Sequence, residues 1–388
     1  MGNTKIQQGW QMKVLYIGCY RDGTGWGNAA TDYILAMDSV GINVVPRPVK
    51  LNARNPEIPA RLIELENRDS RGSDVCIQHV LPHMMDYNGR FEKNIALYAT
   101  ETDLFVKPPW VEKINLMDEA WVINNEMASS SQNCGVNVPI KIIPHATDFS
   151  KFERGYKKFE LPNSQDSFIF YFIGELNKRK NLEALIKAFH LEFHAVEPVS
   201  MVIKTNKYGL SPDECAGEVK SLCDQVKSDL KLYPSLDDYK EDLIITDFLS
   251  QEDLYRLHSG CDCFVMPSYG EAWCIPAFDA MGFGKTPICT NVGGMADFLN
   301  NGGGVLVDGR VEPVSGMIDT FVELYTGYER WVSIDILKLM KEMRRIYNMS
   351  RDENKEPYKE MKSQGLKSAY NHSHEEIGTL IKETLNAN

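Results

Sequence analysis

Two carboxylates, Glu271 and Asp279, stand eight residues apart around the start of an expected helix. The residues before them, Cys261 to Met266 followed by Pro267, read as a short buried strand, and Pro276 suits a first helical turn, where its missing N–H is no loss. Glu271 then lies in a strand-to-helix loop and Asp279 about one turn into the helix. Both can then face the rim at the carboxyl end of a parallel sheet, where open α/β folds bind ligands. The amides that open the helix, over Cys274, Ile275, Pro276 and Ala277, suit a phosphate. A second apolar strand, Ser167 to Gly174, runs into the cationic turn Lys178-Arg179-Lys180, whose charge is opposite to that of a phosphate. A glycine-rich turn with Gly25 and Gly27 follows the first strand of the chain, and glycine there permits close backbone approach to a ligand. Its spacing is not G-x-G-x-x-G, and no acid stands clearly at the end of a following strand to hold a ribose, which disfavours a nicotinamide-dependent dehydrogenase.

Around Glu271 and Asp279 the pattern resembles the E-x7-E signature of the family 4 glycosyltransferases, with Asp279 where that family usually has Glu. Pro267-Ser268, Pro276, Ala280-Met281, Gly284, Pro287 and the run Asn291 to Asp297 fall in the family's register. The turn after Gly174 resembles its phosphate-binding turn, with Lys180 at the lysine. Glu175 stands where an arginine often follows the glycine, and Arg179 can supply the missing charge, being planar and able to grip two phosphate oxygens. Pro144 to Asp148 resembles the turn that closes the family's first domain, and His145 reads as structural. The run Tyr98 to Asp103 with Pro109-Trp110 resembles a subgroup in which an acid replaces the active-site histidine, making Glu101 a candidate to touch donor or acceptor. His79 and His83 follow another first-domain strand and are further candidates to reach the site.

The resemblance implies an α/β chain of GT-B architecture: two Rossmann-like domains facing a central cleft, residues 1–156 on the acceptor side and 157–364 on the donor side, with 365–388 a final helix returning to the first domain. It implies a retaining, metal-independent hexosyltransferase using a UDP- or GDP-sugar and an unidentified hydroxyl acceptor, without a further cofactor. Arg179, Lys180 and the amides at 274–277 would hold the diphosphate, Asp279 the ribose and Glu271 the donor sugar. The leaving phosphate would act as base, with the acceptor attacking from the face it leaves. A nucleotide-sugar epimerase, a phosphorylase, and a non-catalytic sugar-nucleotide binding protein remain open as alternatives, since a fold does not fix a chemistry.

The elements that must position these residues are legible throughout. With 388 residues, 43% hydrophobic and 25% charged, the chain reads as a globular protein of two or three domains. A net charge of −12 argues against nucleic-acid and anionic-membrane partners. No apolar run approaches the roughly 20 residues that span a bilayer, and Met1 to Lys13 lack the apolar core of a leader, so a cytoplasmic protein is expected. Nine scattered cysteines, an odd count without framework spacing, read as reduced, and Cys261 and Cys263 stand too close together for a zinc knuckle. Strands are expected at 12–18, 42–47, 75–78, 94–98, 120–123 and 140–143, then at 167–174, 201–204, 243–246 and before Glu271, with helices between them. The charged stretch Ser150 to Asp166 reads as a linker, residues 210–242 as a solvated helical excursion, and Ser373 as the cap of the last helix.

Overall fold

The computed structural model describes residues 12–52, 56–106, 109–162, 166–318 and 324–387. The Met1 to Lys13 segment read for a leader lies outside these except for its last two residues. The chain forms two compact units. One comprises the residues up to Ala99, Val106–Phe149 and Asn371 onward, and the other comprises Thr100–Phe105 and Ser150–Tyr370.

The first unit is built on a six-stranded sheet of β1 (Lys13–Gly18), β2 (Asn43–Pro48), β3 (Val75–His79), β4 (Lys93–Leu97), β5 (Glu119–Val122) and β6 (Ile140–Ile142). All its pairings are parallel, in the order β2-β1-β3-β4-β5-β6. Parallel sheets need covered faces. The core therefore joins Val14, Tyr16, Ile77 and Ile95 of the sheet to Ile34 and Met37 of the helix Gly25–Ser39, and to Ile377, Ile381 and Leu385 of the helix His374–Asn386. Ser373 caps that last helix, its hydroxyl accepting from the Glu376 amide at 3.3 Å.

The second unit repeats the plan with β7 (Phe168–Glu175), β8 (Val199–Asn206), β9 (Asp242–Ile245), β10 (Cys263–Met266), β11 (Ile288–Thr290) and β12 (Val305–Val307). The order is β12-β11-β10-β7-β8-β9, again parallel, and an antiparallel pair, β13 (Gly309–Pro313) and β14 (Arg330–Ile334), is added to it. The six apolar residues that open β7 are buried without alternation, as a strand covered on both faces requires.

Three expectations change. Residues 212–230 are helical but not wholly solvated, because Cys215, Val219, Cys223 and Val226 form a buried stripe on that helix. The stretch expected as a linker opens with the short helix Ser150–Glu153, and Lys151 within it is buried; its residues 163–165 lie outside the described residues. The final segment is two helices rather than one, since Glu356–Tyr370 belongs to the second unit and only His374–Asn386 to the first. Both sheets change strand direction of travel once, between β1 and β3 and between β7 and β10, and such switch points are where open α/β sheets leave a crevice.

The last helix of the first unit docks through a glycine. A Cβ at Gly378 would lie 2.2 Å from the Ala36 carbonyl oxygen and 2.9 Å from a methyl of Val40. Gly378→Ala should therefore push this helix off the Gly25–Ser39 helix, at a cost of about 1–3 kcal/mol or more. Urea unfolding of the two proteins measures it, and an unchanged midpoint would show that the helices have room to separate freely.

Candidate functional site

The expected donor-side residues come together at the switch point of the second sheet. After β7 the chain turns through Lys178–Lys180, a single 3-10 turn capped by Asn177, whose side-chain oxygen accepts from the Lys180 amide at 3.1 Å. Asn181 ends the turn in the left-handed region, φ +52°, which Asn tolerates better than most residues. Its side-chain amide donates to the Pro267 carbonyl at 3.0 Å, tying the turn to the chain leaving β10. The Tyr269 amide donates to the Arg179 carbonyl at 2.8 Å, and the Val332 amide to the Tyr269 carbonyl at 2.9 Å. The loop carrying Glu271 is thus gripped on one side by the cationic turn and on the other by β14.

Four charged side chains close on one another there. Glu271 Oε1 lies 2.6 Å from Lys180 Nζ and 2.9 Å from Arg179 Nη1. Arg179 Nη1 also donates to the Gly270 carbonyl at 2.7 Å, and Nη2 lies 2.9 Å from Glu101 Oε1. Burial alone would raise the Glu271 carboxyl, but Arg179 and Lys180 outweigh it and hold the group below the usual range. Burial opposes charge on Arg179 as well, and Glu101 and Glu271 reverse that, so its guanidinium is bound more firmly to its proton than usual. Both cations engage Glu271 Oε1, and among the described residues Oε2 takes no hydrogen bond. Glu101 reaches the quartet because Gly270 has no side chain: a Cβ there would lie 1.9 Å from the Glu101 carbonyl oxygen. Asp103 anchors the same segment, its carboxylate accepting from the Arg330 amide and Nε, each at 2.6 Å.

Asp279 lies within the helix Ile275–Gly282, with Pro276 in its first turn as expected. It does not join the quartet's ion pairs. Its Oδ1 lies 2.6 Å from Nζ of Lys151, a residue passed over as linker, and both side chains are more than nine-tenths buried. Cys274, at the head of the helix, is left-handed at φ +70°, a conformation costly for a residue with a Cβ and frequent at functional sites. Pro276 has no N–H, and the Ala277 amide turns back onto the Cys274 carbonyl at 3.0 Å. Of the four expected helix-start residues, Cys274 and Ile275 therefore keep amides that are not spent on the Cys274 carbonyl.

Gly25 and Gly27 lie in the other unit, in the first turn of the helix after β1. Thr24 caps that turn, accepting from the Gly27 amide at 3.2 Å, and a Cβ on Gly27 would press to 3.1 Å from the Cys19 carbonyl, whereas Gly25 has open space around it. His79 ends β3, buried, with Nδ1 2.6 Å from the Tyr16 hydroxyl and its ring stacked 5.1 Å from Trp26. Burial pushes it down to about 3, so it is neutral near pH 7, and the same holds for His145. His83 accepts from the Trp110 indole at 3.2 Å.

Residues 154–333 match the family model described as glycosyl transferases group 1. A serotype-specific mannosyltransferase WbdA of Escherichia coli is 29% identical over 145 residues, which are 37% of this chain and 15% of that protein. Solved structures match nearly the whole chain at low identity. Sucrose-phosphate synthase from Thermosynechococcus elongatus aligns with a TM-score of 0.64 at 14% identity, covering 96% of this chain and 98% of its own. Anabaena HepE in complex with UDP-glucose aligns at 0.62 and 13%, covering 97% and 100%. A glycosyltransferase from Rickettsia africae aligns at 0.62 and 12%, with the same coverage. The fold is thus the GT-B type expected, two parallel-sheet Rossmann-like units. Among the described residues, no helix is long and apolar enough to cross a membrane.

Sequence reasoning missed Lys151 and Tyr325, whose hydroxyl donates to Glu101 Oε2 at 2.6 Å. For Lys151 the only signal was a lysine opening a charged stretch. For Tyr325 there was none, since its partner is 224 residues away.

Two outcomes follow from these ion pairs. Because Glu271 is held below its ordinary range, it contributes stability that is fully present above the ordinary carboxyl pKa, near 4.5, and is lost as pH falls through its lower folded value. Glu271→Gln should flatten that part of the acid limb in urea midpoints taken at stepped pH, and identical limbs would remove the carboxylate from the acid response. Lys151→Met should cost about 3–5 kcal/mol by leaving Asp279 buried beside an apolar chain, while Lys151→Met with Asp279→Leu should recover most of the loss. Additive losses in the double variant would show that the pair is not coupled.

Proposed function

We propose that this chain is a retaining, metal-independent glycosyltransferase that moves a hexosyl group from a UDP- or GDP-sugar to a hydroxyl acceptor. The observation that carries this reading is the pairing of Arg179 and Lys180 around one oxygen of Glu271 at the switch point of the second sheet, the other oxygen taking no hydrogen bond among the described residues. It stands within the segment that matches the glycosyl transferases group 1 model.

In this reading the cations meet the diphosphate. Arg179, fixed by the Gly270 carbonyl, and Lys180 supply positive charge where the leaving phosphate gains negative charge, and prepositioned charge is worth most there because nothing need reorganise. Cys274 and Ile275 direct their amides at the phosphates, helped by the helix that follows. Glu271 Oε2 accepts from a hydroxyl of the donor sugar, and Asp279 serves the ribose. Glu101, whose side chain is 28% exposed against 5% for Glu271, is the acid of the quartet more open to donor or acceptor. The departing phosphate oxygen takes the proton of the attacking hydroxyl, so no separate base is required. The name of the WbdA relative makes mannose the first sugar to try.

The test is a thermal-shift and turnover screen with UDP, GDP, UDP-glucose and GDP-mannose. One nucleoside diphosphate should raise the melting temperature, because a ligand at 100 times its Kd stabilises by about 2.7 kcal/mol. With the matching donor, Lys180→Ala should lower kcat/KM by about 10²–10³ while the fold persists, since Arg179 still pairs with Glu271. Absence of any shift, or full turnover without Lys180, would defeat the reading.

A further inference from the structure

Tyr325 lies between β13 and β14, packed against Tyr269, Val314 and Trp331. Tyr269 and Trp331 stack with ring centroids 4.4 Å apart and planes at 18°, an aromatic floor against which Tyr325 packs. From this floor the Tyr325 hydroxyl donates to Glu101 Oε2 at 2.6 Å, while Glu101 Oε1 holds Arg179 Nη2 at 2.9 Å. One carboxylate is therefore divided between a neutral donor and a cation.

The division matters because of what an undivided carboxylate does. A carboxylate beside a guanidinium takes both oxygens to it when geometry allows, in a two-pronged pair that is stronger than a single contact. Glu101 thus competes with any phosphate for Arg179, and Tyr325 limits that competition by occupying one oxygen. The hydroxyl keeps its proton throughout the neutral range: burial pushes the phenol well up, and Glu101 adds to the shift.

We propose that Tyr325 is a positioning residue of the donor site, holding Glu101 to a one-oxygen grip on Arg179 so that the guanidinium stays available to a diphosphate. This rests on the reading of Arg179 as a phosphate ligand. Its action is through Glu101, whose Oε2 it occupies.

The experiment is calorimetry with UDP and GDP on the full chain and on three variants: Tyr325→Phe, Glu101→Gln, and both together. Tyr325→Phe keeps the ring on its floor and removes only the hydroxyl. It should weaken binding of the preferred diphosphate three- to tenfold, because Glu101 is then free to take Arg179 with both oxygens. Glu101→Gln should tighten binding of the same free diphosphate, since it removes the charge that competes for Arg179, and weaker binding would overturn the proposal. In that background Tyr325→Phe should add less than a twofold change. If Tyr325→Phe weakens binding equally with and without the Glu101 charge, its role is structural and the proposal is overturned. If the parent chain binds a diphosphate and Tyr325→Phe binds it equally well, the proposal alone falls. If the parent chain binds neither, the reading of Arg179 falls and takes this proposal with it.

Discussion

Arg179 is the fixed point of the second unit's functional edge. Its carbonyl accepts from the chain leaving β10, its guanidinium donates to the Gly270 carbonyl, and its two terminal nitrogens face two acids from distant segments. A guanidinium this enclosed has lost most of its water. The desolvation is offset by three oxygens, the Gly270 carbonyl and one carboxylate oxygen each of Glu271 and Glu101. The same arithmetic fixes the number of acids. Arg179 and Lys180 bring two positive charges, Glu101 and Glu271 two negative ones, and the quartet is neutral when all four are ionised. An incoming diphosphate would therefore have to rearrange the contacts among them. In the reading proposed above, the position of the Glu101 carboxylate would then bear on how firmly Arg179 could hold a phosphate.

Steric constraints hold this electrostatic arrangement in place. Gly270 lets the Glu101 backbone pass where no side chain could be, and Gly294 lies so close to Ala272 and Trp273 that a Cβ would stand 2.6 Å from the Ala272 oxygen. The Glu271 loop is therefore clamped between two close backbone approaches. Its geometry depends on the absence of two β-carbons as well as on its hydrogen bonds to Arg179 and Val332. A left-handed Cys274 at the head of the next helix fits the same picture, since the loop arrives at an angle that ordinary backbone does not provide.

Much of this was legible in the sequence because it is local. A buried apolar strand followed by a cationic turn, and a strand followed by an acid and a proline at a helix start, place their residues at carboxyl ends of parallel strands without any knowledge of the third dimension. The switch point itself then brings β7 beside β10, so Arg179, Lys180 and Glu271 meet as a consequence of strand order. What was not legible depends on long loops. Glu101 was flagged only by likeness to a motif, and nothing in its neighbourhood says that it packs on Gly270 or meets Tyr325. The β13–β14 pair carries no catalytic signature, yet it supplies Arg330 for Asp103 and the aromatic floor under Tyr325. The stripe of apolar residues on 212–230 was hidden by the charges around it, because side chains with long stems mask a helical period in a polar stretch.

Asp279 owes its burial to a lysine from another segment of the second unit. Aspartate reaches one methylene less far than the glutamate that the resembled motif carries, and in a helix it cannot slide forward to recover the distance. Lys151 comes to it instead, from the short helix that opens the second unit, with its ammonium also 5.0 Å from the Phe152 ring centre and 5.6 Å from that of Tyr255. Aromatic faces lessen the cost of burying the ammonium, and the carboxylate supplies the countercharge. The pair therefore fixes where Ser150–Glu153 lies against the helix Ile275–Gly282, and the acid serves the architecture of the unit whether or not a ribose shares it. Lengthening it to glutamate would move the carboxylate by one methylene relative to the Lys151 ammonium that now meets it at 2.6 Å, so the ion pair could persist only if the Ser150–Glu153 helix or the lysine chain shifted with it.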